Sequence, residues 1–118
     1  MPHSRTHLNR AIENEQFADS LNSSSSLETD WAITALFYSA VHYVDAYLVV
    51  ARSKPIDHQE RERMIERNGT LSGIFMPYRE LKRMSRAARY DIAAYGPREL
   101  AKAKRLLGEI KAVITPRL

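Results

Sequence analysis

The chain reads as an all-α protein of four helical blocks, and two observations carry that reading. Only four glycines and five prolines punctuate its 118 residues, too few for a many-turned β protein. Alanine, leucine, glutamate, lysine and arginine, the strong helix formers, are abundant, and the apolar residues recur at helical spacing. The length is that of one domain, residues 1–118, and an ordinary hydrophobic core suffices at this size. Apolar residues make up 44% and charged residues 27%, which excludes wholesale disorder and low-complexity classes. Cysteine is absent, which rules out a disulfide scaffold, a thiolate zinc site and a cysteine nucleophile, and agrees with a reducing compartment. Met1 to Arg10 lack the apolar centre of a secretory signal, so a cytoplasmic protein is expected.

The first helix is expected from about Arg5 to Asn22, with Leu8, Ile12, Phe17 and Leu21 as its apolar stripe. Ser23 to Ser26 then interrupt it, because serine side chains compete for backbone hydrogen bonds. Asp30 offers an N-cap for a long apolar helix from Trp31 to about Ala51, ended by Lys54-Pro55. Those 21 residues reach the length of a membrane span. Asp45 argues against insertion, since a carboxylate near the middle costs about 2.5–3.5 kcal/mol even on insertion scales. A helix apolar nearly all round is instead expected in the middle of a bundle, at a dimer interface, or both, with no membrane.

A third block opens at Asp57, whose side chain caps while Glu60 stands in the capping-box position, and runs to about Arg67 before Asn68-Gly69. Leu71, Ile74, Tyr78, Leu81, Ser85 and Ala88 continue at helical spacing, with Pro77 either kinking the helix or marking its straight start. Gly96-Pro97 begins the last helix where proline is best tolerated, and Leu100, Leu107, Ile110, Val113 and Ile114 face the core until Pro116. No internal repeat, Gly-rich phosphate loop or cofactor motif is present.

The net charge of +4 conceals an asymmetry: Pro77 to Leu118 carry +7, and everything before carries −3. Such a face attracts phosphate backbones, acidic proteins or anionic lipid heads, or is simply a solvated helix surface. Three constellations bear chemistry. Thr34, Tyr38, His42 and Asp45, spaced 4, 4 and 3 apart, fall in one stripe of the apolar helix. They form either a hydrogen-bond network that fixes helix register or a setting in which His42 is a general acid or base oriented by Asp45 or Tyr38. Arg52 and His58, followed by Arg61 and Arg63, combine a phosphate-holding guanidinium with a proton-transferring imidazole, the minimal equipment for cutting RNA without metal. Ser85 to Asp91, SRAARYD, offers Arg86, Arg89 and Tyr90 as phosphate contacts or as a solvated helix end.

Smaller signals are read structurally. His3 and His7 stand one turn apart, but two histidines without a third ligand make a poor metal site, and no metal is expected. Tyr43 and Tyr47 are expected to pack and not to stack on bases.

The segment DWAITALFYSAVHYVDAYL, then Pro55 and His58-Gln-Glu-Arg61, then Tyr78, Leu81 and SRAARYD, in that order, resembles the HEPN superfamily of small helical domains across about Leu8 to Ile114. The resemblance implies an up-and-down four-helix bundle, here with a kinked or split third helix. It also implies a homodimer of the kind found in toxin–antitoxin and defence systems, in some cases partnered by a nucleotidyltransferase-like antitoxin. Many members are metal-independent endoribonucleases whose signature is Arg, four to six residues, then His. Only Arg52 and His58 satisfy that spacing here, with Pro55 between them and Ser53 where a polar residue often follows the arginine. The expectation is therefore a toxin-type endoribonuclease in which His58 or His42 handles protons. Arg52, Arg61, Arg86, Arg89 and Tyr90 would then hold RNA. Its alternative is a non-catalytic RNA-binding or protein-interaction module.

Overall fold

The computed structural model describes residues 3–21, 25–91 and 94–118, and every regular element among them is helical. Five helices follow in order: α1 (Ser4–Ser20), α2 (Ser26–Val50), α3 (His58–Arg67), α4 (Phe75–Tyr90) and α5 (Pro97–Ile114). Single 3₁₀ turns occupy Ser72–Ile74 and Thr115–Arg117. The expected end of the first helix at Asn22 and the serines Ser23 and Ser24 lie outside the described residues.

α2 organises the rest. Its apolar residues point in every direction, and α1, α4 and α5 pack around it. Ile33, Leu36, Phe37, Val44 and Leu48 are at most 2% exposed, and 72% of its most apolar window is buried inside the fold. The run that has the length of a membrane span is thus the core of this fold. α4 closes against α5, and the short α3 lies against α4 and the turn before it.

The boundaries of α2 differ from the sequence expectation at both ends. The helix starts five residues before Trp31, because Ser25 caps it by accepting the Glu28 N–H at 3.2 Å. Asp30 is consequently an interior residue, and one of its carboxylate oxygens is buried without a hydrogen-bond partner. At the other end, α2 stops before Lys54-Pro55 is reached. The Ser53 N–H donates to the Leu48 carbonyl at 2.7 Å and the Arg52 N–H to the Val49 carbonyl at 3.0 Å. This pair of bonds is the left-handed helix cap in which the residue after the C-cap takes positive φ, usually as glycine. Arg52 takes that place with φ 59°.

α1 also departs from expectation. Ile12 and Phe17 of its expected apolar stripe are 38% and 51% exposed, whereas Ala11 and Ala18 are buried. Methyl side chains let α1 approach α2 closely, and that proximity outweighs the larger apolar residues on the neighbouring face. Two serine hydroxyls bond to backbone carbonyls across the seam: Ser4 Oγ donates to the Ala46 carbonyl at 2.8 Å and Ser39 Oγ to the Ala11 carbonyl at 2.7 Å.

The second half follows its local signals. Asp57 caps α3 by accepting the Glu60 N–H at 2.8 Å. Asn68 Oδ1 accepts the N–H groups of Thr70 and Leu71 and shapes the turn at Gly69. Pro77 lies in the first turn of α4, where its missing donor is not needed, so it starts the straight helix. Leu71, Ile74, Tyr78, Leu81, Ser85 and Ala88 are all buried. Pro97 opens α5, and the Glu99 carboxylate accepts the Gly96 N–H at 2.7 Å.

A left-handed conformation at a non-glycine residue costs about 1 kcal/mol. Arg52→Gly is therefore expected to raise stability by about 0.5–1 kcal/mol, read as an upward shift of the urea midpoint with an unchanged slope.

Candidate functional site

The polar stripe of α2 reaches three other helices. Thr34 donates to the Asp30 carbonyl within its own helix at 2.8 Å. Tyr38 accepts from Arg89 Nη1 of α4 at 2.9 Å. His42 faces His7 of α1, their Nδ1 atoms 3.2 Å apart and their rings stacked at 5.4 Å. Asp45 receives Arg61 of α3 in a two-pronged ion pair, Nε to Oδ1 at 2.8 Å and Nη2 to Oδ2 at 3.0 Å. These two side chains are 11% and 13% exposed, so the pair is close to buried and fastens α3 to the centre of the molecule. The Tyr78 hydroxyl is buried beside the Arg61 guanidinium, and that burial raises its pKa.

The third nitrogen of Arg61, Nη1, lies 3.0 Å from His58 Nδ1. A guanidinium only donates, so His58 Nδ1 must accept, and in the neutral ring the proton then sits on Nε2. His58 thereby presents an N–H outward and keeps no free lone pair. Its ring lies 6.0 Å from that of Phe37.

His58 lines a cleft of about 340 Å³ together with Phe37, Tyr38, Lys82, Arg86, Arg89 and Tyr90. Arg89 is held in place there: its guanidinium carbon lies 5.6 Å from the Tyr38 ring centre and 5.2 Å from that of Tyr90, and Nε donates to the Ser85 carbonyl. Arg86 is exposed and makes no hydrogen bond or ion pair among the described residues. Lys82 is engaged by Glu62 at 3.1 Å. Arg89 and Tyr90 also wall an adjoining groove with Leu27, Asp30, Trp31, Thr34 and Ala88. Trp31 is 54% and Tyr90 70% exposed.

The structure thus brings His58, Arg86, Arg89 and Tyr90 together, with Tyr38 of the stripe at their edge. It does not bring Arg52 to them. Arg52 is exposed at the end of α2, and its side chain makes no hydrogen bond, ion pair or ring contact among the described residues. The arginine at His58 is Arg61, which is committed to Asp45 and so backs the imidazole from behind instead of standing among the phosphate contacts. His42 lies on the α1–α2 seam and not in the cleft. Lys82 was legible but overlooked, since it precedes Arg86 by four residues and Arg89 by seven and shares their helix face. His7 had no readable signal as the partner of His42, because the pairing depends on the register of two helices.

Burial and the neighbouring His7 hold the His42 pKa below its ordinary value of 6.5. Burial, then Arg61, Lys82 and Arg89, lower that of His58, although the edge of its ring is open to solvent. Away from the cleft, hydrogen bonds from Arg83 and Lys102, both at 2.6 Å, bring Glu80 down to about 2.

Compared with models of known protein families and with curated proteins, the sequence matches none.

Removing one member of a nearly buried ion pair strands its partner. Asp45→Ala is expected to cost about 3 kcal/mol in urea denaturation, and the Asp45→Leu, Arg61→Met double variant distinctly less. The depressed histidines add a pH dependence. Just below pH 6.5 the unfolded chain takes up protons that folded His42 and His58 refuse. Stability is therefore complete above that value and falls as the pH drops through it, and the urea midpoint should be lower at pH 5.5 than at 7.5. The His42→Gln, His58→Gln double variant should flatten that slope. Glu80 acts in a separate window: its contribution is present above 4.5 and lost as the pH approaches 2.

Proposed function

We propose that this chain is an RNA-binding module of the HEPN type that grips single-stranded RNA in the His58 cleft. The observation that carries the reading is the convergence of His58, Lys82, Arg86 and Arg89 with Tyr38 and Tyr90 on one cleft from three separate helices. Cations fixed at backbone spacing attract phosphates, and aromatic faces beside them stack on unpaired bases. The outward Nε2–H of His58 adds a donor for a phosphate oxygen. Tyr90 and Trp31, both exposed and bordering the same adjoining groove, are the platforms on which two bases stack.

Binding is favoured over cleavage because His58, with Nδ1 engaged by Arg61, has no lone pair to act as a base. One observation favours a second reading, a metal-independent endoribonuclease: the same tautomer is that of a general acid. In that reaction the RNA 2′-oxygen bonds to phosphorus and the bond to the 5′-oxygen breaks. His58 gives its Nε2 proton to the departing oxygen, the 2′-hydroxyl proton leaves to water, and Arg86 and Arg89 offset the charge on the phosphorane.

The rest of the reading stands on the resemblance to HEPN domains. In it α1, α2, α4 and α5 form the up-and-down four-helix bundle, with α3 the short half of a split third helix. The chain is a homodimer, pairs with a nucleotidyltransferase-like antitoxin, and works in the cytoplasm without a membrane. Burial of most of α2 and a composition without cysteine support that location.

The test is fluorescence anisotropy with oligoribonucleotides across a salt series, with EDTA present throughout. Affinity should fall as salt rises, with a logarithmic slope of about −0.7 per phosphate contact. Arg86→Ala, which breaks no internal contact, should weaken binding several-fold and reduce the slope by about one contact. Salt-independent affinity would remove the proposal. Cyclic phosphate ends produced by wild type and not by His58→Ala would favour the second reading over the first.

A further inference from the structure

The seam between α1 and α2 holds a second cluster, separate from the cleft. His7 and His42 present their Nδ1 atoms to each other at 3.2 Å, and a carboxylate oxygen of Asp45 completes a set of three ligand atoms within 4.8 Å of one another. His7 and His42 are half-buried and the Asp45 side chain is close to buried, and none of them sits on a loop. We propose that His7, His42 and Asp45 bind one divalent transition-metal ion of the zinc class, joining α1 to α2, with the remaining position open to water.

Four features of the seam support this. First, two imidazole nitrogens on a tetrahedral zinc, each at about 2.0–2.1 Å, stand about 3.3 Å apart, which is the separation found here. Second, two Nδ1 lone pairs cannot face each other unaided: either one ring keeps a bridging proton or a cation lies between them. Ligation moves that proton to the outer Nε2 of the same ring and leaves both Nδ1 atoms free for the metal. Third, the site is held on rigid elements. The Ser4 hydrogen bond to Ala46 lies one turn to one side of the histidine pair, and the Ser39 hydrogen bond to Ala11 lies one turn to the other. Fourth, Asp45 can serve both neighbours. Arg61 occupies one lone pair on each carboxylate oxygen, which leaves further lone pairs for a metal and orients the group as an outer partner does.

The donor set selects the ion. Two imidazoles and one carboxylate suit zinc, cobalt, nickel or copper, whereas magnesium and calcium require oxygen ligands. Arg10 and Arg61 are the cations whose charge reaches His42, and they make the site weaker than a closed four-ligand zinc site. His3, one turn before His7, is exposed and takes no part.

The experiment uses untagged full-length protein and Zn²⁺ or Co²⁺ alone. Calorimetry should give one Zn²⁺ per chain, and Co²⁺ should develop visible absorption typical of nitrogen and oxygen ligands in low coordination. His7→Gln and His42→Gln, checked for unchanged helicity by circular dichroism, should each weaken binding at least tenfold, while His3→Gln should leave it as in wild type. A measurement that needs no variant accompanies these: ¹⁵N spectra of wild-type histidines should show Zn²⁺ shifting the signals of two rings at Nδ1. Equal affinity in wild type, His7→Gln and His42→Gln, or histidine spectra that Zn²⁺ leaves unchanged, would overturn the site. Because the readout is metal binding without RNA, the result is independent of the cleft's proposed function.

Discussion

The enclosure of α2 is the constraint from which the rest of the architecture follows. A helix with apolar residues on every side must be covered by several neighbours, and α1, α4 and α5 pack around it, leaving Leu27, Trp31 and Val50 towards its ends exposed. α4 and α5 meet it with large apolar side chains, Tyr78, Leu81, Leu107 and Ile110 among them, each nearly or wholly buried. α1 meets it differently, with alanine methyls and one serine hydroxyl from each helix at the contact. The Tyr43 hydroxyl gives this side a further polar tie, donating to Glu15, which Lys111 of α5 also holds.

Once α2 is enclosed, its polar stripe meets a different neighbour at each step. Tyr38 meets α4, His42 meets α1 and Asp45 meets α3. The contact at Asp45 matters most for the cleft. α3 is short and strongly polar and buries only Ile65, so its place depends on the Arg61 ion pair more than on hydrophobic area. That ion pair in turn sets the tautomer and position of His58. The candidate site therefore rests on a chain of contacts from Asp45 through Arg61 to His58, while Arg86 and Arg89 arrive independently on α4.

Much of the fold could be read in advance, and the reasons it could or could not are physical. Helical spacing from Leu71 to Ala88 identified the buried face of α4 because large apolar residues lined one side and charges the other. Local chemistry placed the starts of α3 and α5, where Asp57 and Gly96-Pro97 act on backbone groups only a few residues away. Reading failed where a tertiary effect outweighed a local one. Asp30 is as good a cap by type as Ser25, but the helix begins earlier, where Ser25 accepts the Glu28 N–H. Ile12 and Phe17 looked like core, but close approach of two helices selected the alanines. In the site, the arginines of SRAARYD were visible because they share one helix with the right spacing. Arg52 and His58 lie on either side of the helix end that Pro55 announced, and within one chain Arg52, fixed there by its backbone, does not line the His58 cleft.

The two alanines on the inner face of α1 have a consequence beyond packing density. Their side chains are single methyl groups, so nothing bulkier holds α1 away from its neighbours at these two positions. A bulkier side chain at 11 would act as a wedge, and the imidazole of His7 would be carried outward with its helix. The Ala11 methyl, with no chemistry of its own, thus acts as a gauge for the distance between two nitrogens one turn away.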